Sequence, residues 1–437
     1  MEEKKTEAVP AKKKRIDGDS EAERLLQLQL SLAPQSKVAN LLCAILAMGF
    51  IFTFAILLWV VPDKDFSAEE NRTLSTFPEL TKESFFSGEF GEQFGDYMAD
   101  QFPARSFFVG VKAASEAVQL KQTNNDTFII GDYLFARDDY PDEAVLYANI
   151  SASAKFAKAA EEKGIDVVAA FAGRKMDVYD NMLPSYYGSY YSDLIWAKLD
   201  TAAEEGGLEY INLRDSLRSI ADGDEGLYYM SDHHWTSHGA YLAYREIMAE
   251  FGETPYEEAD FNIETVTDSF YGTTWSAAGV KWVAGDTIQY YRYDGDEDYT
   301  TKIVDASGKY EGFEGVSYVE EDGIKYAVMN GFYMEDYLDE KDKYASFIGG
   351  NNGLTVIEKN TPEERETLLV VKDSFSHTMV PFLARHYDLV LVDLRYYQTS
   401  MLRYAEENGI DKVLLLYNME TLTTVSDVKF ISIGAGK

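Results

Sequence analysis

Apolar residues run without a charge from Val38 to Val61, 24 positions with Asn40 the one amide among them. At ~1.5 Å per residue a helix of this length measures about 36 Å, enough to span a hydrocarbon core of about 30 Å with some tilt. A helix of this length buried in a soluble protein keeps a polar stripe, and this one has none. A cleaved signal peptide has a shorter apolar region, set near the N-terminus and ended by small residues. Here 37 residues precede the run, which ends Leu58-Trp59-Val60-Val61-Pro62. The run reads as an uncleaved transmembrane anchor over 38–61.

Beyond the anchor the pattern changes twice. Residues 62–135 read as a membrane-proximal region of short helices, and the apolar stretch Phe128–Phe135 leads into the main fold, 136–437. There, helical and strand periodicities alternate. Ile150–Lys163, Asp193–Glu205 and Ser237–Phe251 read as helices, and Ile165–Ala172 and Leu208–Leu213 as strands. Thr367–Lys372, Asp388–Leu394 and Lys412–Tyr417 are further strands, with helices over His377–His386 and Met401–Asn408. Between about 260 and 345, dense Tyr, Gly, Asp and Thr with short alternating runs such as Asp286–Tyr293 predict a β-rich insertion. Val/Leu-rich strands alternating with helices predict an α/β fold, a parallel sheet covered on both faces. Reactive groups in such sheets sit where strands end and helices begin.

Charge fixes the expected orientation. The tail 1–37 holds eight Lys/Arg, and the first 15 residues after Val61 hold two, Lys64 and Arg72. The tail is therefore expected in the cytoplasm and the remainder outside the cell. The chain carries a net charge of -35, from 75 acidic and 40 basic residues, and such a protein repels phosphate backbones, so nucleic acid is not an expected partner. A single cysteine, Cys43, excludes an internal disulfide framework, a Cys-rich zinc site and an iron–sulfur cluster.

The histidines locate the chemistry. Of five, His233, His234 and His238 lie within Met230–Gly239, and His377 and His386 lie within 12 residues of Ser374. The segment Lys372-Asp373-Ser374-Phe375-Ser376 follows a strand and precedes a helix, where the helix N-terminus favours a developing oxyanion. Ser374 is a candidate nucleophile there; the plainer reading is that Ser374 or Ser376 caps the helix. A serine nucleophile needs a neutral imidazole, itself oriented by a carboxylate. Asp232 and His234, spaced i, i+2, point the same way in an extended or turn segment, with His233 opposite and Trp235 packed beneath. Two other readings of the cluster stand beside this one: zinc held by Asp232, His234 and His238, and a purely structural role. No metal and no cofactor is expected.

Ser231-Asp232-His233-His234-Trp235-Thr236 resembles the signature of the bacterial DHHW proteins, which are similar to SGNH-hydrolase-like proteins that O-acetylate exopolysaccharides, including the AlgX/AlgJ type. Glu70-Asn71-Arg72, Asp100–Arg105, Gly131–Phe135, Gly272-Thr273-Thr274, Asp342-Lys343-Tyr344 and Asp393–Tyr396 fit the same family, so the resemblance spans roughly 62–437. It implies an SGNH-hydrolase-like sheet and the assignments Asp232 orienting acid, His234 base and Ser374 nucleophile. The Asp-x-His pair precedes the serine, as in the acetylating relatives. Where those relatives carry Gly-Asp-Ser, this chain carries Lys372-Asp373-Ser374. Gly173 or Arg174, after the first strand, and Asn351, in Gly349–Gly353, are candidate oxyanion or substrate residues. The latter stretch equally reads as a plain turn.

The implied activity is an extracellular O-acetyltransferase acting on a surface or secreted polysaccharide. Its expected partners are that polysaccharide, an acyl donor and a multi-pass membrane O-acyltransferase. An SGNH-type esterase and a non-catalytic glycan-binding or scaffold protein are the alternatives.

Overall fold

The computed structural model describes residues 37–435 apart from 68, 71, 138–140 and 223–225. The expected cytoplasmic tail, Lys37 apart, and Asn71 of the Glu70-Asn71-Arg72 motif lie outside the described residues. The chain divides into two compact units, one comprising residues up to Lys64 with Ser75–Pro103, the other Asp65–Leu74 with Ala104–Lys437.

The first unit contains the apolar helix, Lys37–Val60, its 24 residues almost all exposed. By length and composition it is the one described helix able to cross a membrane, with a mean hydropathy of 2.8 over its most apolar stretch. Two helices follow in the same unit, Lys82–Ser87 and Glu89–Asp100. Gly88, at φ 88°, ends one and begins the other, a left-handed conformation that glycine adopts without a Cβ penalty.

The second unit is built on a nine-stranded mixed sheet. Its strands are β1 (Asp166–Ala172), β2 (Ile211–Asn212), β3 (Tyr299–Val304), β4 (Ser317–Glu321), β5 (Ile324–Asn330), β6 (Leu354–Lys359), β7 (Thr367–Lys372), β8 (Asp388–Val392) and β9 (Lys412–Asn418). They lie in the order β4-β5-β3-β6-β8-β7-β9-β1-β2. From β8 to β2 the pairing is parallel, and from β4 to β8 it is antiparallel. The expected all-parallel sheet is therefore half of a larger mixed one. Strands β3, β4 and β5 come from the stretch expected to be a β-rich insertion. They join the sheet because β6 offers β3 an open edge.

Side chains alternate across the parallel half, as strand geometry requires. Ala170, Leu368, Val370, Leu391 and Leu414 face one core, where they meet helices α3 (Leu213–Ile220), α4 (Ser237–Glu250) and α5 (Val380–Ala384). Ala169, Leu369, Val371, Val390 and Leu415 face the other, against α1 (Glu143–Glu161), α2 (Gly188–Gly206) and α6 (Met401–Glu407).

Two predicted elements come out shorter. The strand expected over Leu208–Leu213 is reduced to β2, because the Asn212 side chain accepts from the Asp215 amide at 3.2 Å and starts α3. The helix expected over His377–His386 is a 3-10 segment, Ser374–Met379, running into α5. Pro381 sits in the first turn of α5, where a missing N–H costs nothing. Asn262–Phe270 and Asp286–Arg292 form a separate antiparallel pair.

Candidate active site

Four strands of the parallel half end at one place. Gly173 and Arg174 follow β1, Asp373 and Ser374 follow β7, Asp393 follows β8, and Asn418 closes β9. From β7 the chain moves to β8 on one side and then to β9 on the other, so the order reverses at β7. The crevice outside the carboxyl ends at such a reversal is where open α/β sheets bind ligands.

At this crevice the two sequence segments singled out above meet. His234 Nε2 lies 2.7 Å from Ser374 Oγ, and its Nδ1 lies 2.6 Å from Asp232 Oδ1. The two Asp232 oxygens have separate duties. Oδ1 also accepts the His234 amide at 3.0 Å, while Oδ2 accepts the Thr273 amide at 2.7 Å and its hydroxyl at 3.0 Å. Burial alone would raise the Asp232 pKa, but His233, His234 and the hydrogen bonds from the His234 ring and amide hold it well below the usual carboxylate range. Burial, helped by His233, lowers the His234 pKa to about 4 against the pull of Asp232. The imidazole is thus neutral at physiological pH, with a lone pair for the serine proton.

His234 is held on its face as well as its edge. The Tyr344 ring stacks on His234 at 3.9 Å and 10°, and the Tyr344 hydroxyl donates to the Ser374 carbonyl at 3.0 Å. Trp235 is fully buried, and its indole N–H donates to the Phe375 carbonyl at 2.8 Å. Gly272 lies so close to Asp232 that a Cβ there would come within 2.2 Å of the carboxylate.

A buried pair of opposite charges clamps the segment carrying Asp232. Lys175 Nζ donates to the carbonyls of Tyr229, Met230 and Asp232 at 2.9, 2.9 and 2.6 Å. Asp286 accepts the amides of Met230 and Ser231 at 2.6 and 2.7 Å, and the Ser231 hydroxyl. Burial pulls the Lys175 pKa down to about 8, with Asp286 and Asp232 resisting. Sequence reasoning missed Lys175, Asp286 and Tyr344 as parts of the site; Gly272-Thr273 and Tyr344 carried a signal only as motif residues.

The remaining candidates fall differently. The Arg174 amide and guanidinium both bond Asp177 (2.9 Å from the amide), so this residue is occupied with its own helix turn. The Gly173 carbonyl accepts from Tyr228 and from the Asn418 side chain. Asn351 is exposed and accepts from Arg395 at 3.3 Å, and the turn around it is tied internally by Asn352. Lys372 closes β7 fully buried, 2.8 Å from His377 Nε2, and turns away from solvent. Asp373 is extended at φ -109°, so the junction requires no glycine. Neither serine caps the segment; Asp373 does, accepting the Phe375 amide at 2.9 Å.

The expectation that His233 points away from His234 is not met. The two rings lie 3.8 Å apart, and His233 Nδ1 contacts Thr273 Oγ1 at 2.8 Å. The chain turns here rather than running extended, so i and i+1 share a side. His238 faces Glu258 at 3.1 Å, and His386 faces Tyr244. Among the described residues, ligand atoms of Asp232, His233 and His234 gather within 4.8 Å and form the one cluster of metal-ligand spacing, without His238. Both His234 nitrogens already have hydrogen-bond partners.

The segment Asp232-His233-His234-Trp235 falls inside a match to the family described as DHHW protein, over residues 206–393. Over those residues the chain matches the DHHW family. The resemblance read from the sequence is borne out there. Solved structures of similar fold include a DHHW family protein from Eubacterium siraeum DSM 15702, at 19% identity and a TM-score of 0.54, covering 70% of this chain and 95% of that one. Bacillus cereus PatB1 is similar at 19% identity and a TM-score of 0.55, covering 69% and 98%. A looser likeness, 11% identical with a TM-score of 0.38 and covering 67% and 90%, is to the O-acetyltransferase domain of Pseudomonas putida AlgJ. A search of curated protein sequences returns no match.

Proposed function

We propose that the protein is a serine-dependent O-acetyltransferase of SGNH-hydrolase type, held at the cell membrane by its apolar helix and acting outside the cell on a polysaccharide. The observation that carries this reading is the unbroken chain Ser374–His234–Asp232, at 2.7 and 2.6 Å, in the crevice at the strand reversal.

The reaction runs in two halves. Ser374 Oγ attacks the carbonyl carbon of an acetyl donor while its proton passes to His234 Nε2. The resulting imidazolium is stabilised by the ionised Asp232 and returns the proton to the departing group. A sugar hydroxyl then attacks the acetyl-serine, gives its proton to His234, and releases Ser374. The first amide of the segment opening at Ser374 has no acceptor within that segment and serves the oxyanion. Of the earlier oxyanion candidates, the Arg174 amide and guanidinium are engaged by Asp177, Asn351 lies exposed with its side-chain oxygen on Arg395, and Gly173 remains. A multi-pass membrane O-acyltransferase would supply the acetyl group across the membrane. Hydrolysis is the same chemistry with water as acceptor, and a glycan-binding scaffold would need no serine at all.

Turnover of p-nitrophenyl acetate by the full chain in detergent separates these readings. Ser374→Ala and His234→Ala should each lower kcat by about 10³-fold or more, and acetyl mass should appear on an added oligosaccharide. Acetate release without sugar acetylation would select the esterase. Equal slow release by all three proteins would sink the catalytic reading.

A further inference from the structure

Acyl transfer as proposed accounts for His234 but leaves its neighbour without a role. His233 is about one-third exposed, and it lines a cleft beside the site with Phe135, Arg174, Thr274, Asn418 and Glu420. Its hydrogen bonding fixes where its proton sits. Asp232 is ionised and can only accept, so the Thr273 hydroxyl, 3.0 Å away, donates its single proton to Oδ2. The Thr273 oxygen can then only accept from His233, whose Nδ1 lies 2.8 Å away and must carry the N–H. In that tautomer Nε2 is a lone pair, and among the described residues it has no hydrogen-bond partner.

The two imidazoles are oriented alike. Both direct Nδ1 toward Asp232, at 2.6 Å from His234 and 3.4 Å from His233, and their rings lie 3.8 Å apart. The rings are tilted by 39° to one another, and in each Nε2 lies across the ring from the Nδ1 that faces Asp232. His234 Nε2 meets Ser374, and the His233 side chain lines the cleft.

We infer that His233 is the acceptor-recognition residue, its Nε2 receiving a hydroxyl adjacent to the one that His234 deprotonates, so that the cleft selects acceptors carrying vicinal hydroxyls. This rests on the acyl-transfer reading. The attacking hydroxyl forms the new C–O bond and passes its proton to His234, the Ser374 ester bond breaks, and Ser374 Oγ takes that proton. The neighbouring hydroxyl keeps its proton and donates it as a hydrogen bond to His233. Water carries no second hydroxyl and forgoes this contact.

The test compares two isomeric diols as acceptors for the full chain in detergent, with p-nitrophenyl acetate as donor. Propane-1,2-diol and propane-1,3-diol are offered at equal concentration, and the monoacetates and free acetate are quantified. Because both diols draw on one acyl-enzyme, their ratio is independent of the overall rate. One hydrogen bond corresponds to a preference of about fivefold for the 1,2-isomer. His233→Phe, which keeps a ring but no acceptor, should abolish the preference. His233→Gln, which retains an acceptor oxygen, should restore part of it. Equal use of the two diols by the wild type, or an unchanged preference in His233→Phe, overturns the subsite alone. Absence of any diol ester, or ester formation surviving Ser374→Ala, overturns the acyl-transfer reading and the subsite with it.

Discussion

His234 has to be uncharged to accept a proton and yet close enough to a carboxylate to tolerate one. Burial and the neighbouring His233 hold its pKa at about 4, below the ordinary imidazole value. The acid limb of kcat/KM should therefore fall near pH 4, and activity should persist at pH 5.5, where a solvated imidazole near 6.5 is mostly protonated. A pH–rate profile on a soluble ester checks this, and a limb at 6.5 would place His234 in water. The sign for stability is the same. As pH drops through about 6.5 the unfolded chain takes up this proton while the folded chain refuses it until about 4, so stability falls across that window. At this scale the sequence disclosed Ser374, His234 and Asp232, which the structure brings together, but not their support. Asp232 and His234 are two apart and their pairing is local. Thr273 and Gly272 meet Asp232 across some forty residues, and Lys175 and Asp286 act on backbone groups that carry no sequence signal.

The loop 229–232 shows how a short irregular element is made rigid. Its carbonyls converge on Lys175 and its amides on Asp286, so two buried charges of opposite sign face each other through one strip of backbone. Removing one leaves the other uncompensated. Lys175→Met should cost about 3–5 kcal/mol, read from urea unfolding followed by tryptophan fluorescence; a loss under about 1 kcal/mol would mean that water replaces the ammonium. Strand β7 was legible at both ends because five of its six residues are buried and apolar pattern marks it without reference to a partner. Strands β4 and β5 were not. They carry Glu320, Glu321 and Lys325, with β4 the open edge of the sheet and β5 next to it, and owe their state to pairing rather than to composition. The same non-local pairing turned an expected parallel sheet into a mixed one.

At the scale of the whole molecule, an apolar helix of 24 residues is joined to a chain of strongly acidic composition. The proposed topology places the basic-rich tail in the cytoplasm. The full chain should stay with the membrane pellet after alkaline carbonate, and a membrane-impermeant amine reagent applied to intact cells should label lysines of 104–435 but none before Lys37. Labelling confined to the tail would reverse the orientation, and a chain released by carbonate would remove the anchor. One consequence follows from the place of β7 in the sheet. It is hydrogen-bonded to β8 on one edge and β9 on the other, with both faces covered. Its amides belong to the part of the protein that exchanges with solvent water only when the entire domain opens. Ser374 is the second residue beyond that strand, so fraying at the sheet's far edge leaves the serine's register intact, and loss of the site should coincide with global unfolding.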